Sequence, residues 1–117
     1  MVNKISTDLI RGHTDTIILN VLRHDDSYGY RIFKTIIEMS DNQYELKEAT
    51  LYTAFRRLEK EGLIVSYWGD ETQGGRRKYY RITKEGLERY EQYKEEWNFA
   101  KGVLNKLIEG GIKTDEK

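Results

Sequence analysis

The chain has 117 residues, its 20 Lys/Arg balance 20 Asp/Glu, and it contains neither cysteine nor proline. That length fits one domain with a modest core that partnering would enlarge, and the lack of cysteine excludes disulfides and thiolate metal sites and agrees with a reducing compartment. No apolar run approaches the roughly 18 residues of a membrane span, and the opening MVNKISTDLIRGH has no apolar signal region, so a cytoplasmic protein without a membrane partner is expected.

A first helix is predicted from about Ser6 to His24, with Ile10, Ile17, Ile18, Val21 and Leu22 as a partial stripe. HDDSYGY breaks it, and Ser27 is placed to cap a second helix with inner face Ile32, Phe33, Ile36, Ile37 and Met39. SDNQ reads as a loop and YEL as a very short strand. The third helix is the clearest: Leu51, Ala54, Phe55 and Leu58 fall at i, i+3, i+4 and i+7. Thr50, Thr53, Arg57 and Lys60 then share a different face, with Tyr52 and Arg56 beside it, and Gly62 ends the helix.

Two β-branched and aromatic runs follow, LIVSYW and KYYRIT, separated by GDETQGGRR: a hairpin with a long glycine-containing tip. Thr83 opens a long final helix, and Glu85 suits its positive start. The order helix, helix, helix, hairpin, helix predicts a mainly α fold with a β-hairpin wing (α+β), a winged helix-turn-helix. It divides into residues 1–82 as the winged unit, 83–109 as a dimerisation helix and 110–117 as a tail.

Charge is unevenly placed. Residues 1–46 hold 5 Lys/Arg and 7 Asp/Glu, 47–81 hold 8 and 5, and 82–117 hold 7 and 8. The basic middle third spans the third helix and the wing, and placement matters more to a polyanion than the total. A helix enters the major groove when its outward face carries short polar and long cationic side chains. Thr50 and Thr53, near the helix start, are the base-edge candidates, with Tyr52 beside them; Arg56, Arg57 and Lys60 suit phosphates. The competing reading is a solvated face paired with Glu59 and Glu61. On the wing, Gly74 and Gly75 permit close backbone approach, and strand alternation puts Arg76 and Lys78 on one face and Arg77 on the other. There the competing reading is a turn that blocks edge aggregation with charge.

The final helix carries Tyr90, Tyr93, Trp97, Ala100, Leu104 and Leu107 at spacings of 3, 4, 3, 4 and 3. Leu87, Phe99, Val103 and Ile108 form a second apolar set. Two apolar faces need more than one neighbour, which favours a homodimer, with Tyr90, Ala100, Leu104 and Leu107 at the interface. Trp97 has two readings: a core residue of the dimer, or one of two symmetry-related indoles holding a planar aromatic molecule.

No catalytic constellation is visible. The two histidines are His13, on the first helix, and His24, a dipole partner at its end. No H-E-x-x-H, phosphate-binding loop or nucleophile elbow occurs, so neither enzymatic activity nor a cofactor is expected.

EATLYTAFRRLEKEGLI (Glu48 to Ile64) followed by GGRRKYYRIT (Gly74 to Thr83) resembles the PadR family of winged-helix transcriptional regulators in spacing, order and length over about residues 6–109. SYWGDETQGGRRKYYRIT is most similar to the small, multidrug-sensing (LmrR-like) branch of that family. One departure is Thr53, where many members carry proline after the LY pair; it alters the start of the reading helix and leaves operator preference open. The resemblance implies a dimer on a two-fold-related double-stranded DNA operator, with the reading helix at Glu48–Glu61 and the wing tip at Thr72–Lys78. It also implies a ligand pore lined by Thr16, Asn20, Tyr93, Trp97 and Lys101, with Asp15, Tyr90 and Lys94 as lesser positions. The two lysines would disfavour purely cationic ligands. The leading reading is therefore a homodimeric repressor relieved by a planar aromatic small molecule. Its rivals are a protein–protein adaptor and a small-molecule-binding winged-helix module without sequence-specific DNA binding.

Overall fold

The computed structural model describes residues 4–69 and 76–112. In chain order its elements are α1 (Thr7–Ile10), α2 (Thr14–His24), β1 (Ser27–Tyr28), α3 (Gly29–Met39), α4 (Glu48–Lys60), β2 (Ile64–Trp68), β3 (Lys78–Ile82) and α5 (Lys84–Glu109). The single long first helix expected from periodicity is two. Gly12 takes φ +93, which no right-handed helix accommodates, and His13 becomes the N-cap of α2. Ser27 does not cap α3. It pairs with Tyr80 in the sheet, its hydroxyl accepts from Arg31 Nε at 2.9 Å, and Tyr28 is the capping residue instead. YEL forms no strand, although Leu46 within it is buried. Met39 is 55% exposed rather than on the inner face, because α3 ends there.

The sheet is antiparallel with order β1–β3–β2. β2 and β3 are the predicted hairpin, in register from Ile64↔Ile82 to Trp68↔Lys78. The core joins Ile18, Leu19 and Leu22 of α2, Ile32 and Ile36 of α3, Leu51, Ala54, Phe55 and Leu58 of α4, and Ile64 and Tyr80 of the sheet. All four predicted α4 positions are at most 1% exposed. Phe55 stacks on Tyr80, centroids 4.2 Å apart and planes 27° from parallel, so α4 and the middle strand share one aromatic contact.

Gly62, at φ +76, ends α4 as expected. Thr83 caps α5: its hydroxyl accepts from Gly86 N–H at 3.0 Å, and its own N–H donates to Leu63 O at 3.0 Å. Gly86 is where α5 presses on the residue before β2 and on the end of β3, for a Cβ there would overlap Leu63 O and lie 2.7 Å from Ile82 Cγ1. The first turns of α5 bury Gly86 and Tyr90; from residue 101 to 112 nothing is buried. At 26 residues α5 is about 39 Å long, and it contributes to a longest molecular dimension of 74 Å. Among the described residues no helix is long and apolar enough to cross a membrane.

Candidate nucleic-acid interface and adjoining groove

At 3.6 residues per turn, burial of Leu51, Ala54, Phe55 and Leu58 turns the exposed Thr53, Arg56 and Lys60 away from the core, with the exposed Thr50 at the helix start on the side that Arg57 takes two turns later. Arg56 Nη2 donates to Thr53 Oγ1 at 3.3 Å, a neutral partner on the same face. The other two predicted residues sit on the flanks. Tyr52 leans over α3, where a Cβ on Gly29 would overlap its hydroxyl and come within 2.8 Å of its Cζ; its ring also meets Phe55 edge-on at 5.4 Å. Arg57 turns the opposite way, to α2. Its Nε donates to Asp15 Oδ2 at 3.2 Å and its Nη2 binds Asp15 Oδ1. That hydrogen bond raises the pKa of the Arg57 guanidinium. Periodicity placed Arg57 with the outward residues; the structure pairs it with Asp15 of α2.

The wing root stands beside α4. Lys78 Nζ lies 4.0 Å from Glu59 Oε1, and Glu59 Oε2 accepts from the Ser66 hydroxyl at 2.7 Å. Arg77 lies over the Tyr28 ring, 4.6 Å from its centroid, and Arg76 over Trp68 at 5.7 Å. Lys78 and Arg77 thus leave opposite sides of the strand, as alternation requires. Arg81, the fourth cation of this run, is held by Asp26 at 3.1 Å, and Asp26 also accepts from Tyr67 Oη at 2.6 Å. That bond raises the pKa of the Tyr67 phenol. Tyr28, Gly29, Tyr30 and Tyr52 face Arg77 and Lys78 across a cleft of ≈ 390 Å³ between the start of α3, the flank of α4 and the wing root. Gly74, Gly75 and Thr72 lie outside the described residues. The sequence reading missed the cleft's α3 side, although a glycine between two tyrosines at residues 28–30 was its visible trace.

A groove of ≈ 650 Å³ runs between α1, α2 and the first half of α5. It brings together four of the five predicted ligand residues, Thr16, Asn20, Tyr93 and Trp97, with Asp15 also on its wall. Lys101 is not among them; it lies one turn beyond Trp97 on α5, where the two line an adjoining depression with Leu104 and Ile108. His13, assigned nothing from sequence, meets Trp97 edge-on at 5.1 Å. The break at Gly12 puts it there. Tyr90, placed in the dimer seam by spacing, is 6% exposed within its own chain, with Arg23 over its ring at 4.9 Å. Ala100 is half-buried at the end of the groove, and Leu104 and Leu107 are exposed.

The groove wall is also tied to α4. Besides the Asp15–Arg57 pair, Arg89 of α5 binds Tyr93 Oη at 3.4 Å and Glu61 Oε1 at 3.7 Å, just past the end of α4. The hydrogen bond with Tyr93 raises the Arg89 pKa. Two groove residues therefore stand within one or two contacts of one flank of the outward-facing helix.

Known proteins share this architecture. The transcriptional regulator PadR-like family matches residues 18–92. A transcriptional regulator from Clostridium thermocellum (Cth-833) is 55% identical, with 90% of this chain and 99% of that chain covered and a TM-score of 0.83. An uncharacterised protein from Lysinibacillus sphaericus is 43% identical over 106 residues, 91% of this chain and 97% of its own length. Bacillus subtilis PadR, solved in complex with operator DNA, is 19% identical with a TM-score of 0.63, covering 92% of this chain and 53% of that one, a likeness of fold. On the family match and the identity to the Clostridium protein, this chain, a winged helix with a long C-terminal helix, belongs to the PadR-like family of transcriptional regulators.

Proposed function

We propose that the protein is a homodimeric, DNA-binding transcriptional repressor. The observation that carries this is that the exposed side of α4 and the cations of the wing root stand next to each other, Lys78 lying 4.0 Å from Glu59 of α4 and Tyr52 sharing a cleft with Arg77 and Lys78. Thr50 and Thr53 are the base-edge residues, Arg56 and Lys60 the phosphate contacts of the helix, and Arg76, Arg77 and Lys78 those of the wing, with Gly74 and Gly75 at its tip. Tyr52 acts by shaping the cleft. The operator complex of Bacillus subtilis PadR supports duplex DNA as the partner, and a cytoplasmic site of action belongs to the same proposal.

The dimer reading rests on the outer part of α5, where Leu104, Leu107 and Ile108 are 46%, 75% and 76% exposed. A second copy covering them would place two reading helices on half-sites about 34 Å apart or a multiple of that distance. The groove walled by Tyr90, Tyr93, Trp97 and His13 supports a planar aromatic effector beside that interface, as in the multidrug-sensing branch. Such an effector relieves repression only by binding two subunit arrangements unequally.

The test is an affinity titration of the wild-type chain and of the Arg76→Ala/Arg77→Ala/Lys78→Ala variant against duplex DNA from upstream of its gene, at several salt concentrations. Each lost phosphate contact should flatten the log–log salt slope by about 0.9. Equal affinities and slopes would remove the wing from the interface, and a wild-type chain that shifts no duplex would favour the adaptor reading.

A further inference from the structure

We propose that Asp15 is a positioning residue for DNA reading: it holds the Arg57 guanidinium against α2 and withholds it from the DNA backbone. This rests on the DNA-binding reading above. Arg57 belongs to the third turn of α4, at a height where a guanidinium is within a side chain's length of the outward face that carries Thr53, Arg56 and Lys60. Its side chain is 44% exposed, so a polyanion has access to it. Its two nitrogens nevertheless engage both oxygens of Asp15, the fork-to-fork arrangement that arginine makes with carboxylate or phosphate alike. A phosphate oxygen is the same kind of acceptor, so DNA and Asp15 are direct competitors for one donor set.

Asp15 is held in place for this pairing. It is 21% exposed and sits on the first turn of α2, whose Ile18 and Leu19 are fully buried, so the carboxylate is fixed on a rigid support. Arg56 makes the contrast clear: its partner is the neutral Thr53 hydroxyl at 3.3 Å, which holds it on the outward face without competing charge. The neighbouring tie has the same direction, since Glu61, one turn after Arg57, is drawn to Arg89 of α5. The last turns of the flank, at Arg57 and Glu61, are thus tied to their own chain, while Thr50 at the helix start and the face that bears Thr53, Arg56 and Lys60 are left for the duplex. Arg57 is thereby kept out of the set of cations that α4 offers to the backbone.

The experiment measures affinity of the full-length chain for a mixed-sequence DNA duplex over a range of salt, for wild type, Asp15→Asn, Arg57→Gln and the double variant. Asp15→Asn is expected to steepen the log–log salt slope by about 0.9 per subunit, as one cation per subunit joins the backbone contacts. Arg57→Gln is expected to keep the wild-type slope, and the double variant to match Arg57→Gln. The last comparison removes the general effect of deleting a negative charge, which acts whether or not Arg57 is present. An Asp15→Asn variant with unchanged slope and an unchanged urea midpoint overturns the proposal. So does an Arg57→Gln variant whose slope is flattened by the same amount, and that variant decides the matter even if Asp15→Asn does not fold. A wild-type chain that binds no duplex overturns the DNA-binding reading itself, an outcome distinct from normal duplex binding with an inert Asp15→Asn.

Discussion

Replacing Gly86 by alanine inserts one methyl where the chain has no room for it. The new Cβ would overlap the Leu63 carbonyl oxygen and press on Ile82 Cγ1 at 2.7 Å. A clash with the tip of a side chain is relieved by rotation, but this one is with backbone. Leu63 O is also the acceptor for Thr83 N–H at 3.0 Å and lies 3.1 Å from the Thr83 hydroxyl, so moving it loosens the cap of α5. Overpacking costs about 1–3 kcal/mol, and weakening one such hydrogen bond about 1 kcal/mol more. Alanine's better helix propensity returns about 1 kcal/mol. The net expectation is about 2 kcal/mol of destabilisation, roughly 8 °C in midpoint for a chain this long. Gly102→Ala is the control, since it also lies within α5 and a Cβ there meets nothing within 4 Å; it should stabilise by about 0.5–1 kcal/mol. Thermal and urea unfolding at one fixed protein concentration measure both. If Gly86→Ala unfolds at or above the wild-type midpoint, the account of how α5 docks on the winged unit is wrong.

Burial raises the Tyr80 phenol from 10.0 to about 12. Its folded-state pKa lies above its unfolded value, so its contribution to stability is whole below pH 10 and is lost as the pH climbs towards 12; in a phenolate absorbance titration Tyr80→Phe should remove a late step. Leu104→Asn with Leu107→Asn should convert a dimer to a monomer in sedimentation while leaving the monomer's core intact, because both leucines are exposed in the single chain; a wild-type chain that sediments as a monomer refutes the interface.

What the sequence made legible was local. The α4 stripe needs only its own period, and the hairpin only two aromatic and β-branched runs flanking glycines. Thr83 announces α5 because a capping hydroxyl acts three residues away. The features that stayed hidden depend on distant partners. β1 is two residues long and exists because Ser27 and Tyr28 pair with Tyr80 and Tyr79, more than fifty residues on. An isolated glycine is tolerated inside helices, so Gly12 could not be known to break one. Spacing placed Arg57 away from the apolar stripe, but only the packing of α2 beside α4 shows that it meets Asp15. Tyr90 fits the heptad seam on paper, yet the first half of α5 packs on α2 and takes it into the core. The residues that the family resemblance assigns to a ligand pore, apart from Lys101, line one groove because they lie on the facing sides of α2 and α5.

The stack of Phe55 on Tyr80 has a mechanical corollary. A ring pair in van der Waals contact leaves no joint at which the wing can pivot against the helix it flanks. A displacement of the root of the middle strand is thereby a displacement of α4 as well. The start of α5 belongs to the same block, since Gly86 and Tyr90 are packed into it and the Thr83 N–H is bonded to Leu63 O.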